Sequence, residues 1–113
     1  MSVPKFSVVR KDLKEITNHL SRIFSPQKII LFGSRASGKA DRRSDIDLLV
    51  ITNFSGGRRR LMVEMDRAIA PFKKPVDIII QTTEEYDINR FIPGTIARCA
   101  FLEGKVLYDC KAL

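Results

Sequence analysis

Residues 28–51 read KIILFGSRASGKADRRSDIDLLVI: two apolar runs, Ile29 to Phe32 and Ile46 to Ile51, joined by a stretch of small and basic residues. Each run is short, apolar apart from Asp47 and bounded by turn-forming residues, which predicts two strands, at about 28–32 and 45–52. Successive side chains of a strand point to opposite faces, so Asp45 and Asp47 share one face with Leu49 and Ile51. Two carboxylates side by side repel, and such a pair is normally tolerated where a cation neutralises it. Mg²⁺, bound through oxygen and commonly shared with substrate phosphates, is the natural candidate. Gly33 and Ser34 lie just past the first strand. Glycine lets backbone N–H groups approach an anion closely, and the Ser34 hydroxyl adds a hydrogen bond. Arg35, Lys39, Arg42 and Arg43 supply positive charge nearby, so the stretch outlines a metal and triphosphate site.

Outward from this stretch, Val76-Asp77-Ile78-Ile79-Ile80-Gln81 predicts a further strand with one carboxylate among aliphatic residues. An aspartate inside such a run is disfavoured by strand propensity and costly to bury as a charge, which calls for a metal or a partner. Asp77, Ile79 and Gln81 share a face. If the two acidic strands are neighbours, Asp45, Asp47 and Asp77 converge at one end of the sheet.

The pattern Phe32-Gly33-Ser34, ten residues, Asp45-Ile46-Asp47, with a later strand bearing Asp77 and a closing Glu103 to Tyr108, resembles the nucleotidyltransferase superfamily of DNA polymerase β and kanamycin nucleotidyltransferase. Within it, the similarity is greatest to the minimal nucleotidyltransferases, and it spans nearly the whole chain. The resemblance implies an α/β (α+β) polymerase β-like core, a mixed β-sheet with helices packed on one face and the carboxylates exposed on the other. It implies that Gly33, Ser34, Arg35 and Ser44 hold the nucleoside triphosphate, and that Asp45, Asp47 and Asp77 ligate two Mg²⁺ ions, with Asp77 as general base. The implied reaction is attack of a hydroxyl on the α-phosphorus of a nucleoside triphosphate, ATP in the first instance, with Lys39, Arg42 and Arg43 near the departing pyrophosphate.

Minimal nucleotidyltransferases are associated with HEPN-domain partners in toxin–antitoxin modules. The resemblance therefore implies an antitoxin that transfers AMP to a tyrosine of a HEPN toxin. Two other readings stay open: a nucleotide-binding module that masks its partner by contact alone, and a small-molecule nucleotidyltransferase of antibiotic-resistance type. Nucleic acid is not expected as the direct substrate, because no aromatic residues interleave with the basic clusters and no RNP or zinc-finger pattern is present.

With 113 residues and 44% hydrophobic content, residues 1–113 are expected to form a single nucleotidyltransferase domain with one core. A second copy of the chain or a separate partner must then present the hydroxyl. The formal charge of +7 is uneven: residues 1–43 hold ten Lys or Arg against three Asp or Glu, and residues 44–113 hold ten of each. A basic face suits a nucleotide, a nucleic acid or an acidic protein and does not choose among them. Cys99 and Cys110 form no Cys-x-x-Cys pair and the chain has one histidine, so zinc is not expected; unpaired cysteines and the lack of an apolar leader or spanning run suggest a cytoplasmic protein.

Val9, Leu13, Ile16, Leu20 and Ile23 predict an amphipathic helix ending before Ser25-Pro26, with His19 beside the stripe and paired with Glu15. Leu61, Met65 and Ile69 mark a second helix. It opens on Arg58-Arg59-Arg60, where an external anion is conceivable beside the reading of a solvated tip. Met62 and Met65 are candidates for partner docking or for core packing. Thr82-x-x-Glu85 predicts a capping box. A last helix from about Pro93 to Glu103 is expected to turn Ile96, Cys99 and Ala100 inward and to stop at Gly104.

Overall fold

The computed structural model describes residues 4–33 and 46–111, with side chains from residue 11 onward. The chain opens with helix α1 (Pro4–Phe24), followed by β1 (Lys28–Phe32) and β2 (Ile46–Ile51). Helix α2 (Arg58–Ile69) and a 3₁₀ turn (Ala70–Phe72) lead to β3 (Val76–Gln81). Helices α3 (Thr83–Asn89) and α4 (Ile96–Glu103) and strand β4 (Lys105–Asp109) complete it. Among the described residues no helix is long and apolar enough to cross a membrane.

The four strands lie in the order β3-β2-β1-β4. β1 is antiparallel to both β2 and β4, while β2 and β3 run parallel. A parallel pair needs a crossover, and α2 supplies it. The mixed α+β sheet is therefore the expected architecture.

Strand alternation divides the core in two. Ile29, Leu31, Ile46, Leu48, Val50, Ile78 and Ile80 face α1 and α2, where Leu13, Ile16, Leu20, Met65 and Ile69 close the larger cluster. Ile30, Leu49 and Ile51 face the other way and are covered by Tyr86 of α3 and by Ala97 and Ala100 of α4. The expectation of helices on one face alone is thus corrected. The second face carries its own apolar row, and α3 and α4 cover it.

Several local expectations shift with tertiary context. Along α1, Leu13, Ile16 and Leu20 are buried but Ile23 is 52% exposed, so the apolar stripe ends one turn early. His19 sets its ring edge-on against Phe72 at 5.6 Å instead of pairing with Glu15. In α4 the inward residues are Ala97 and Ala100, while Ile96 is 40% exposed and Cys99 is half-buried. Small residues win because the helix lies close to the sheet: a Cβ on Gly104 would overlap the Ala100 carbonyl oxygen, and the Ile30 side chain lies nearly as close. The Cys110 thiol donates to Gln27 Oε1 at 3.3 Å, and both cysteines are unbridged.

The capping box is present. The Glu85 backbone N–H donates to Thr82 Oγ1 at 3.1 Å, and the Thr82 N–H donates to Glu85 Oε1 at 2.8 Å. Arg58 adds a fork to the same carboxylate, 2.7 Å to each oxygen, and lies over the Phe54 ring. The opening arginine of α2 is therefore committed to tying the starts of α2 and α3 together. The Thr82 N–H, then Arg58, holds the Glu85 carboxyl below its ordinary value. A depressed carboxylate contributes stability above its unfolded value, about 4.3, and loses it as pH falls through the folded one. Thr82→Ala is expected to cost about 1 kcal/mol in urea denaturation. Glu85→Gln should be less stable than wild type at neutral pH, with the gap closing below roughly pH 4.

Candidate active site

The N-terminal ends of β2 and β3 and the C-terminal end of β1 meet at one margin of the sheet. Phe32 is the Cα register partner of Asp47, and Asp47 that of Asp77, so the three stand in one row across adjacent strands. Both aspartates belong to the face covered further along by α3 and α4. Adjacent strands lie about 4.8 Å apart, which makes the two carboxylates near neighbours. At roughly 5 Å their repulsion is about 1 kcal/mol in a water-like medium and about 3 kcal/mol at an effective dielectric of 20. Asp47 is half-buried and Asp77 exposed.

Gly33 closes the arrangement from the β1 side. Its φ is +78°, in the left-handed region that favours glycine, and a Cβ there would overlap the Asp47 carboxylate. Gly33 therefore packs directly on the Asp47 carboxylate. Ser34, Arg35, Ser44 and Asp45, with Lys39, Arg42 and Arg43, lie outside the described residues.

A depression of about 450 Å³ opens beside the row, lined by Phe32, Asp47, Met62, Asp66, Val76, Asp77, Ile78, Ile79 and Ile96. Asp66 and Ile96 were not legible as site residues, and Met62 was expected only as a docking or core-packing residue. Asp66 reads as one charge on the polar side of a helix, and only the crossover of α2 back to β3 brings it to this margin. Met62 takes a wall of the depression, while Met65 is fully buried in the core. Ion pairs with Asp66 and Asp77 are absent among the described residues.

Paired carboxylate oxygens at the end of a sheet, facing an open depression, suit a hard divalent cation. Asp47 and Asp77 fit Mg²⁺ in donor type and in mutual placement. Among the described residues no group of three or more His, Cys, Asp or Glu side chains forms a metal cluster. The third ligand expected from the sequence, Asp45, is one of the residues outside the description.

A mixed sheet with an aspartate pair at its margin and a glycine turn against it defines a nucleotidyltransferase core. The nucleotidyltransferase domain family matches residues 13–101, and the chain belongs to that family. No curated protein sequence matches the chain. Among solved structures, a proposed nucleotidyltransferase from Sulfolobus solfataricus is 24% identical, covering 90% of this chain and 81% of its own, with a TM-score of 0.58. A toxin–antitoxin structure with AMP-PNP is 22% identical, covering 85% and 73%, with a TM-score of 0.58. A complex of tri-AMPylated Shewanella oneidensis HEPN toxin with its MNT antitoxin is 18% identical, covering 88% and 71%, with a TM-score of 0.51. At these identities the likeness is one of fold, and it includes the minimal nucleotidyltransferase antitoxins.

Proposed function

We propose that this chain transfers AMP from ATP to a hydroxyl of a partner protein, a tyrosine of a HEPN toxin, and thereby acts as its antitoxin. The observation that carries the reading is the register pairing of Asp47 with Asp77 against Gly33 in a member of the nucleotidyltransferase family. The acceptor oxygen attacks the α-phosphorus, a new P–O bond forms, and the bond to the bridging oxygen of the β-phosphate breaks. Pyrophosphate leaves with that electron pair. Asp77, the more exposed carboxylate, takes the hydroxyl proton or passes it to solvent.

Asp45, Asp47 and Asp77 would hold Mg²⁺, which when bound neutralises charge on the phosphates and lowers the pKa of the incoming hydroxyl. Gly33 and Ser34, with Arg35 and Ser44, would hold the triphosphate at the end of β1. The partner assignment is supported by the shared fold with an MNT antitoxin whose structure contains a HEPN toxin.

Incubation with ATP, Mg²⁺ and a HEPN-domain protein from the same operon should raise that partner's mass by one or more AMP units on a tyrosine, measured by mass spectrometry. Neutralisation of the partner with no mass change would overturn the transfer reading in favour of masking by contact.

A further inference from the structure

We infer that the outer surface of α3 and α4, where an arginine is held between exposed phenylalanine rings, is the docking face for the protein that carries the reacting hydroxyl, and that this protein meets it with a carboxylate set among apolar side chains. The inference rests on the transfer reading above and deepens it by saying where the acceptor protein sits and what chemistry holds it.

Nine large apolar side chains are exposed among the described residues, and seven of them fall between Ile88 and Val106. Apolar residues scattered singly over a surface need no explanation, but their concentration in one stretch does. The stretch is built by its own bonds. Thr95 Oγ1 donates to the Asn89 and Ile92 carbonyls, 2.8 Å from each, and Arg98 Nη1 donates to the Arg90 carbonyl at 3.3 Å. Phe91, just past α3, meets Phe101 of α4 with ring centroids 6.0 Å apart, and both rings stay exposed. A surface fixed in advance loses little freedom when a partner covers it.

Arg90 gives this surface its specificity. Its guanidinium lies over Phe91 at 4.8 Å and Phe101 at 5.2 Å, with the buried Tyr86 ring at 5.9 Å. Ring faces hold the cation in place but leave its N–H groups in need of acceptors. Among the described residues Arg90 forms no ion pair, Asp87 on the preceding turn included, and its buried Nε has no hydrogen-bond partner. A positioned guanidinium with free N–H groups in an apolar frame is the counterpart of a carboxylate in an apolar frame, which it grips by paired hydrogen bonds.

Charge separates such a partner from a second copy. Residues 88–106 hold Arg90, Arg98 and Lys105 against Glu103 alone. Two copies face to face would bring net positive surfaces together, whereas an apolar surface centred on a carboxylate complements this one. The place of the patch favours the protein that carries the acceptor. Ile96, the first residue of α4, lines the depression beside Asp47 and Asp77. Helical rise puts it about 8 Å along the axis from Phe101. A protein seated on Arg90, Phe91 and Phe101 therefore borders the depression, and a short segment of it suffices to bring a hydroxyl to Asp77.

The test uses the full chain with the HEPN-domain protein of the transfer experiment and, as an acceptor too small to need a docking face, tyrosinamide. Arg90→Glu and Phe91→Ser should each weaken capture of that protein roughly thirtyfold or more by calorimetry and raise its KM for AMP transfer in parallel. ATP affinity and tyrosinamide labelling should stay within about twofold of wild type in both. Arg90→Leu, which keeps bulk and drops the charge, should bind about tenfold better than Arg90→Glu, whose new carboxylate also repels that of the partner. Phe91→Ser, at an exposed position, carries the test should Arg90→Glu disturb the packing on Tyr86.

Capture within about twofold of wild type in both variants, or no capture by the wild-type chain, would overturn the inference. Equal losses in Arg90→Leu and Arg90→Glu would refute the carboxylate. Weaker ATP binding in Arg90→Glu would make the arginine a phosphate contact, and a dimer in sedimentation that Phe91→Ser dissolves would give the face to a second copy; either overturns it. The two readings fail separately. Unchanged capture with AMP transfer intact refutes the docking face alone, whereas capture that depends on Arg90 and Phe91, with AMP transferred to neither acceptor, refutes transfer alone.

Discussion

Asp77→Asn is expected to lower AMP transfer about a thousandfold while leaving the protein folded. The substitution keeps shape and volume at an exposed position whose carboxylate has no ion-pair partner among the described residues, so little packing is disturbed. It removes the negative charge beside Asp47, its register partner. A thousandfold loss corresponds to about 4 kcal/mol of transition-state stabilisation, the scale expected when a carboxylate that holds a cation or accepts a proton becomes an amide. Stability should move the other way. Asp77 is exposed, so relief of its repulsion with Asp47 is on the water-like scale of about 1 kcal/mol and makes the variant at least as stable as wild type without divalent ions. With Mg²⁺ and ATP the order reverses, because a ligand at a hundred times its Kd adds about 2.7 kcal/mol to the form that binds it. Single-turnover kinetics and paired thermal melts, with and without Mg²⁺ and ATP, measure both effects. Transfer within tenfold of wild type would remove Asp77 from the chemistry.

Gly33→Ala should damage both fold and activity through the same contact. The left-handed φ of +78° costs a non-glycine residue about 1–2 kcal/mol. The added methyl also collides with the Asp47 carboxylate, so one of the two must move. Together these should lower unfolding free energy by roughly 2–4 kcal/mol. Displacing Asp47 from its place beside Asp77 by about 1 Å should cost transfer on the order of a hundredfold. The contact predicts a coupling that separates its two parts. In the Gly33→Ala, Asp47→Ala double variant the collision is gone and the backbone cost remains, so the stability losses should fall short of additive by 1 kcal/mol or more in urea denaturation. Strict additivity would show that the glycine is needed for its backbone alone.

Much of the site was legible along the chain because its parts are local. The period of two in β2 and β3 places Asp47 with Leu49 and Ile51, and Asp77 with Ile79 and Gln81, whatever the strands pair with. The Thr82-x-x-Glu85 box and the stop at Gly104 are equally local, since their partners lie within one helical turn. Where periodicity misled, in Ile23, Ile96 and Cys99, the residue's apolar character was real. How much of each helix the sheet could cover was a matter of tertiary packing.

Residue order alone thus determined which side chains share a face and that a glycine turn precedes an acidic strand, because dihedral preferences and side-chain alternation act over a few residues. Tertiary structure decided the rest: that β2 and β3 are parallel neighbours in a register bringing Asp47 level with Asp77, that β1 lies on the other side of β2, and that β3 ends the sheet. It also placed α3 and α4 on the second face. Local preferences say which way a side chain points. Which strand stands next to it is settled by burying both apolar faces at once, a condition on the whole chain.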